Sequence, residues 1–335
     1  MKNITIFTDA WDPQINGVVT TLKTTIKHLE KRGYDVKVVH PGMFKVTVPL
    51  QPSTGIYMPL LPMGIADEYV KNAKHIHIAT EGSIGLAARH YCKKYKRRYT
   101  TSFHTKYPDY LYEHAYIPPR ITGGYFRWFH RNSDCVMVPT PAMVDYCDAL
   151  GIKNLKIWSR GVDTDLFKPD PNWQKMKAEK VIRAIYVGRV SAEKNLEAFL
   201  SIRDESIVKF IIGDGPQLEE YKTKYANSNY IYFLGRKTPE EIATLLQVQD
   251  VFVWPSMTDT FGLVVLEAMA SGLPVAAFHN DVNEYIIEDG KSGYLDDNLT
   301  HAIRMAFHLK KENAVARAKQ FSWEAATDQF IENLV

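Results

Sequence analysis

Cysteine is scarce in this chain. There are three in 335 residues, Cys92, Cys135 and Cys147, at no CxxC or other zinc-like spacing. That count excludes a disulfide scaffold and leaves reduced, buried thiols of a cytosolic protein as the reading. Net charge is also low. With 41 Lys+Arg against 38 Asp+Glu the formal charge is +3. Bulk nucleic-acid binding is thereby disfavoured, although a local basic patch remains open. No apolar run is long enough and smooth enough to span a membrane. The longest charge-free stretch lies between Lys45 and Asp67, and Pro49, Pro52, Gly55, Pro59, Pro62 and Gly64 break it. Phe261 to Phe278 is apolar but holds Glu267. Asp9 interrupts the opening apolar run, so a signal peptide is not expected and any membrane contact is peripheral. No GxGxxG follows the first strand-like run. Gly213-Asp-Gly-Pro216 lacks the third glycine, which argues against nicotinamide binding. Repeats and low-complexity segments are absent.

What is present is ordinary globular material, 45% hydrophobic and 24% charged. At roughly 150 residues per domain the length suggests two domains. Ile4–Thr8, Val36–Val39, Ile76–Ala79, Tyr99–Phe103 and Val136–Val138 read as strands. Between the first two, Val18, Leu22, Ile26 and Leu29 mark one face of a helix over Val18–Lys31. Strand, helix, strand with β-branched runs implies a parallel sheet. The pattern dissolves at Lys168-Pro-Asp-Pro-Asn172. A second series follows: Val181–Val187, Ile207–Ile212, Tyr230–Phe233, Val251–Trp254 and Val275–Phe278. The expected class is therefore α/β, with two Rossmann-like doubly wound domains facing across a cleft: 1–167, a linker 168–180, and 181–320. Ligands of such sheets bind at the carboxyl ends of the strands.

Three segments could carry chemistry. In Pro255–Pro274 a strand enters a Ser/Thr/Asp turn and then a helix from about Gly262 to Ala270. The helix start would present the amides of Phe261, Gly262 and Leu263, a setting that favours phosphate. Gly262 would let a ligand approach the backbone. An acid inside an apolar helix, Glu267, is costly unless it binds something, and ribose hydroxyls would serve. The alternative is that Asp259 caps the helix and Glu267 pairs with a cation. In Tyr186–Asn195, Arg189 and Lys194 follow a strand end, where two cations can neutralise a diphosphate without metal. They could equally pair with Glu193 or Glu197 on the surface. In Gln14–Val19, Gly17 stands at a helix start, as loop–helix glycines often do.

Together these segments resemble the retaining GT-B glycosyltransferases of family 4. The likeness rests on Gly17, His104 in Ser-Phe-His-Thr-Lys-Tyr-Pro, Gly161-Val-Asp163 before Phe167, Gly188–Lys194, Asp259 with Glu267, and Phe321-Ser-Trp323. It covers almost the whole chain in order. Phe103-His-Thr105 and Trp158–Phe167 are most similar to the branch that glycosylates diacylglycerol lipids. The resemblance implies a hexose moved from a nucleotide diphosphate sugar, such as UDP-glucose, UDP-glucuronate or GDP-mannose, to a membrane lipid acceptor. Glu267 would bind the ribose and Asp259 the donor sugar. Arg189 and Lys194 would hold and stabilise the leaving diphosphate, assisted by the amides of Phe261, Gly262 and Leu263. Gly17 would approach the donor from the other domain, and His104, catalytic with Arg189 and Lys194, would sit near the anomeric carbon and the acceptor. Residues 1–167 would be the acceptor side, 181–320 the donor side, and 321–335 a helix returning to the first domain. No cofactor is implied, since the nucleotide sugar is a co-substrate, and no metal. Two positions depart from the family: Asp259 where Glu is usual, and Arg160 where many relatives have Asn.

Other features of the sequence admit readings of their own. Asp163-Thr-Asp165 could hold a cation, but it falls in the Gly-Val-Asp turn and reads as structural. His75 and His77 share a strand face with no third ligand and read as core or edge residues. Lys93, Lys94, Lys96, Arg97 and Arg98 lie in a seven-residue run with two tyrosines, and Gly124–Arg131 adds aromatics including Trp128. Such a mixture suits an anionic bilayer surface on the cytoplasmic face. The bland reading is a helix C-terminus that complements its dipole, plus core aromatics. Val46–Ala66 could supply an apolar loop near the acceptor. No RNA-binding motif accompanies the basic run, so nucleic acid is not an expected partner. Rival functions are transfer to a soluble or polysaccharide acceptor, a glycoside hydrolase using Asp259 and Glu267, and a non-catalytic nucleotide-sugar sensor.

Overall fold

Contacts within the chain divide it at Arg160 and again at Ser322. Met1–Arg160 and Trp323–Val335 form one unit, and Gly161–Ser322 the other. Gly161–Phe167 thus groups with the second unit. The computed structural model describes residues 2–14, 16–51, 56–60, 62–109, 112, 116, 118–172 and 181–335. Pro52 and Gly55, and residues 173–180 of the expected linker, lie outside the described residues.

Unit one is built on β1 (Lys2–Phe7), β2 (Tyr34–Val39), β3 (Thr47–Gln51), β4 (Ile56–Pro59), β5 (His75–Ile78), β6 (Thr100–Ser102), β7 (Cys135–Val138) and β8 (Leu155–Ile157). Six of them form one sheet in the order β2-β1-β5-β6-β7-β8, with every pairing parallel. Its central strands β5, β6 and β7 are buried on both faces because both are covered. Phe7, Ile76, Ile78 and Phe129 pack on one side. Ile4, Ile6, Leu22, Met137 and Trp158 pack on the other. The helix Gly17–Lys31 starts where Asn16 accepts from the amides of Val18 and Val19, both at 3.0 Å. Val19, Leu22 and Leu29 are its buried face. The last helix, Trp323–Asn333, belongs to this unit. Phe330 lies 4.8 Å from Trp158 and 5.0 Å from His77, and Arg32 pairs with Asp328 at 2.8 Å.

Unit two repeats the plan with β9 (Ile182–Val187), β10 (Ile207–Ile212), β11 (Ile231–Gly235), β12 (Val251–Trp254), β13 (Val275–Ala277) and β14 (Gly293–Leu295). Their order is β11-β10-β9-β12-β13-β14, again all parallel. The sequence pattern does not reveal β8 and β14, which are three residues long and lie at sheet edges. It also gives no sign of the antiparallel pair β3–β4 inside the proline-broken run. Proline is tolerated there because a two-stranded ribbon has free edges. All three cysteines are buried and free. Burial pushes the Cys92 and Cys147 thiols up to about 12 and Cys135 up to about 11. Among the described residues no helix is long and apolar enough to cross a membrane.

Candidate active site

In unit two the carboxyl ends of β9, β10 and β11 are drawn together by backbone packing. The Gly188 amide donates to Ile212 O at 3.0 Å, and the Gly213 amide to Gly235 O at 2.9 Å. A Cβ on Gly213, where φ is +141°, would lie 1.8 Å from Gly188 O. One on Gly215 would lie 2.3 Å from Val190 O. These glycines exist so that two strand exits can touch, which explains them without a dinucleotide.

Arg189 leaves β9 half-buried. Its carbonyl accepts from Tyr186 Oη at 2.8 Å, and among the described residues its guanidinium has no partner. The chain then makes a short 3-10 turn, Ala192–Lys194. Asn195, at φ +51°, closes it and donates to Pro255 O at 3.2 Å. That bond, with Ser256 and Thr258 Oγ donating to Glu193 O at 3.4 and 3.2 Å, ties the two loops together. Lys194 Nζ comes to 2.5 Å from Asp259 Oδ1 and 5.4 Å from the Trp254 ring. Trp254 ends β12 and stacks on Tyr186 of β9, with centroids 5.9 Å apart. Lys194 therefore pairs with neither Glu193 nor Glu197. Glu197 is taken by Lys224 and Tyr225, each at 2.7 Å.

The helix of this site runs Leu263–Ala270. Its N-cap is Gly262 at φ +89°, with no side-chain capping bond and no acid in the first turn. Asp259 is thus not a cap, and its Oδ2 is buried without a hydrogen-bond partner. The need for glycine at 262 is first conformational, since L-residues avoid that φ. A Cβ there would also meet Val265 Cγ2 at 3.3 Å and Trp254 Nε1 at 3.5 Å. The Phe261 side chain is buried against Phe321, 6.0 Å away. Only its amide is left for any ligand. Glu267 pairs with no cation among the described residues, and burial raises its carboxyl to about 7. Lys194 and Gly262 thus both lie beside Trp254, and Asp259 joins them through Lys194. Trp254 and Tyr186 were not singled out from the sequence. The available signal was an aromatic at a strand's carboxyl end directly before Pro255-Ser-Met-Thr-Asp.

The residues of unit one behave differently. Gly17 is exposed at the first position of its helix. His104 is buried two residues beyond β6, with Nδ1 2.9 Å from Arg160 Nη2 and Nε2 2.9 Å from Ser102 Oγ. Burial first, then Arg160 and His77, holds it well below the usual imidazole range. With both ring nitrogens engaged and the ring neutral, it is not poised as a free acid or base. His77 is core, pushed down to about 3 by burial. His75 binds the carbonyl of Val335 at 2.8 Å. Asp163, just across the boundary in unit two, accepts from the amides of Asp165 and Leu166 at 3.0 and 3.1 Å and so organises its turn.

The basic run of unit one splits. Arg97 turns inward and donates to the carbonyls of Val70 and Lys71 at 3.0 and 3.1 Å, and to that of Ala73, closing the helix Met63–Asn72. It is not available to a membrane. Arg98 is exposed but paired with Asp134 at 3.0 Å. Lys93, Lys94 and Lys96 are exposed. Lys93 and Lys94 line a groove of about 790 Å³ together with His90, Leu60, Leu86 and Trp128. Trp128 is 41% exposed, and its ring carries the Arg89 guanidinium at 4.0 Å.

Comparison with known proteins divides the chain a few residues beyond the unit boundary. Residues 15–166 match the family described as Glycosyltransferase Family 4, and 168–319 match Glycosyl transferases group 1. The chain belongs to the family 4 glycosyltransferases. It is 29% identical over 334 residues to the sulfoquinovosyl transferase SQD2 of Arabidopsis thaliana, covering 91% of this chain and 64% of the plant protein. The chain thus spans less than two thirds of that relative's length. It is 28% identical over 333 residues to the alpha-monoglucosyldiacylglycerol synthase of Streptococcus pneumoniae, covering 87% and 74%. It is 25% identical over 370 residues to a GDP-mannose-dependent alpha-mannosyltransferase of Corynebacterium glutamicum, covering 98% and 88%. Among solved structures, Anabaena HepE in complex with UDP and glucose aligns at TM-score 0.74, 17% identity and 99% and 98% coverage. Sucrose-phosphate synthase from Thermosynechococcus elongatus aligns at 0.79 and 18%, with the same coverage. At these identities the likeness concerns fold, and the fold is GT-B. In this glycosyltransferase Arg189, Lys194, Asp259, Gly262 and Glu267 all fall within the group 1 match, and Gly17 and His104 within the family 4 match.

Proposed function

We propose that the chain transfers a hexose from a nucleoside diphosphate sugar to a lipid hydroxyl at an anionic membrane surface, with retention at the anomeric carbon and without a metal. The observation that carries the donor half is Glu267. It is an acid inside an apolar helix, with no partner among the described residues and with its ionisation opposed by burial. Vicinal ribose hydroxyls are the ligand that such a carboxylate lacks. The uncapped helix end, with Arg189, whose guanidinium has no partner among the described residues, would complete the site for an anion. A diphosphate placed there takes Arg189 and competes with Asp259 for Lys194. Asp259, released, accepts from hydroxyls of the donor sugar, and its buried Oδ2 gains a donor.

In the transfer, the bond from the anomeric carbon to the diphosphate oxygen breaks and a bond to the acceptor oxygen forms. The acceptor's proton passes to the departing phosphate oxygen. Negative charge grows on the leaving group, so fixed cations and amides favour the transition state over the ground state. Arg189 and Lys194 supply the charge a divalent ion would otherwise bring. His104, buried and neutral, shapes the acceptor side rather than moving a proton.

The acceptor half draws support from the lipid-directed names among the relatives and from the groove where Lys93 and Lys94 flank Leu60, Leu86 and Trp128. Cations beside an aromatic and exposed aliphatic residues suit the headgroup region of an anionic cytoplasmic leaflet. The experiment is transfer in mixed micelles of diacylglycerol with EDTA present, offering UDP-glucose, UDP-glucuronate, UDP-galactose and GDP-mannose in turn. The expected result is one sugar on the lipid with the donor's anomeric configuration. Inverted product, or cleavage of glycosides that lack a nucleotide, would overturn the reading.

A further inference from the structure

At the carboxyl edge of the first sheet stands a cation without a counter-ion. Arg160, three residues beyond β8, is 5% exposed. Its Nη1 donates to Trp158 O at 2.5 Å and to Ser159 O at 3.0 Å, and its Nη2 donates to His104 Nδ1 at 2.9 Å. The guanidinium lies 4.7 Å from the centre of the Trp158 ring. Among the described residues no carboxylate pairs with it. Burial alone draws it down to about 9, and the buried histidines beside it sense Arg160 but no acid.

The neighbours cannot absorb this charge. A guanidinium has only donors, so His104 Nδ1 accepts and the neutral ring carries its proton on Nε2. That proton goes to Ser102 Oγ at 2.9 Å. Ser102 Oγ donates to Ala79 O at 3.3 Å and lies 3.2 Å from His77 Nε2, whose Nδ1 partner is Thr100 Oγ1 at 2.8 Å. Thr100 Oγ1 ends the chain on Ile76 O at 3.4 Å. Each of these groups is uncharged and hydrogen-bonded. The guanidinium keeps Nε–H and one Nη2–H unassigned among the described residues. A buried charge with no partner is costlier than a neutral side chain of similar size. Open parallel sheets receive their ligands at this edge.

We propose that Arg160, braced by His104, is a subsite for an oxyanion, a phosphate or carboxylate group borne by a substrate that unit one receives. The proposed function enters only in naming the substrate that bears it. The subsite itself is testable without turnover, so absence of transfer with every donor would overturn that function and leave this inference standing.

The probe is inorganic phosphate, titrated into protein labelled with nitrogen-15 in histidine against matched sodium chloride. The expected result is a saturable shift of the His104 ring nitrogens. It is lost in Arg160→Gln and kept in Arg189→Ala, which removes the cation proposed for the donor site. Arg160→Lys keeps charge but not the fork, so its phosphate affinity is expected to fall about tenfold. This second variant decides the matter if Arg160→Gln fails to fold. Displacement of the phosphate by UDP assigns the oxyanion to the donor, and displacement by dihexanoyl phosphatidate assigns it to the lipid side. No shift of His104 in the wild type, or equal shifts in the wild type and the Arg160 variants, would overturn the proposal.

Discussion

Glu267 shows most clearly how one residue's surroundings set its chemistry. Its carboxyl is raised by burial from 4.5 to about 7 in the folded chain. A raised acid means that the folded state holds the proton longer than the unfolded state does. The associated stability is full below about pH 4.5 and is lost as pH rises through 7. Two and a half units correspond to about 3 kcal/mol at most. Glu267→Gln is therefore expected to melt above the wild type at pH 8 and together with it near pH 4.5, read by calorimetry across pH. The same variant is expected to bind the donor nucleotide about tenfold more weakly, because the charged acceptor is gone. Gly213 gives a second test. Gly213→Ala drives a Cβ into Gly188 O and is expected to cost more than about 4 kcal/mol or prevent folding of unit two. Gly290→Ala, also at positive φ but with open space around it, is expected to cost about 1 kcal/mol. The sequence exposed Arg189, Lys194, Asp259 and Glu267 because charges at strand and helix ends in an apolar setting stand out. It did not show that Lys194 and Asp259 face each other, nor that Arg160 is buried, because both depend on loops that meet only in the folded chain.

The elements whose period is strong are legible in the sequence. The helix Gly17–Lys31 and the five apolar runs of each half lie within a residue or two of their expected places. The three-residue edge strands β8 and β14 carry too little pattern to read. The returning helix Trp323–Asn333 is anchored by Phe330, which is fully buried among Trp158, His77 and its neighbours. Phe330→Ala is expected to destabilise unit one by about 3–5 kcal/mol. Because the other unit has its own sheet and core, the thermogram should show one transition moving down while the second stays. Equal movement of both would mean that the two units melt as one.

At the scale of the whole molecule, unit two carries the proposed donor site and unit one the groove proposed to meet a membrane. The second half is tested by Lys93→Glu, Lys94→Glu and Lys96→Glu together. Arg97 is left alone, since it closes a neighbouring helix. The triple variant is expected to lose sedimentation with anionic vesicles while keeping its nucleotide affinity. Undiminished sedimentation would remove the groove from consideration. The first half is the more basic claim, that a diphosphate is held by Arg189, Lys194 and the helix start at Gly262. It is measured most directly by titration calorimetry of UDP and GDP in EDTA, with wild type and the Arg189→Ala/Lys194→Ala double variant. One nucleotide is expected to bind the wild type and to bind the double variant at least about tenfold more weakly. Equal affinity for both proteins, or no binding of either nucleotide to the wild type, would contradict it.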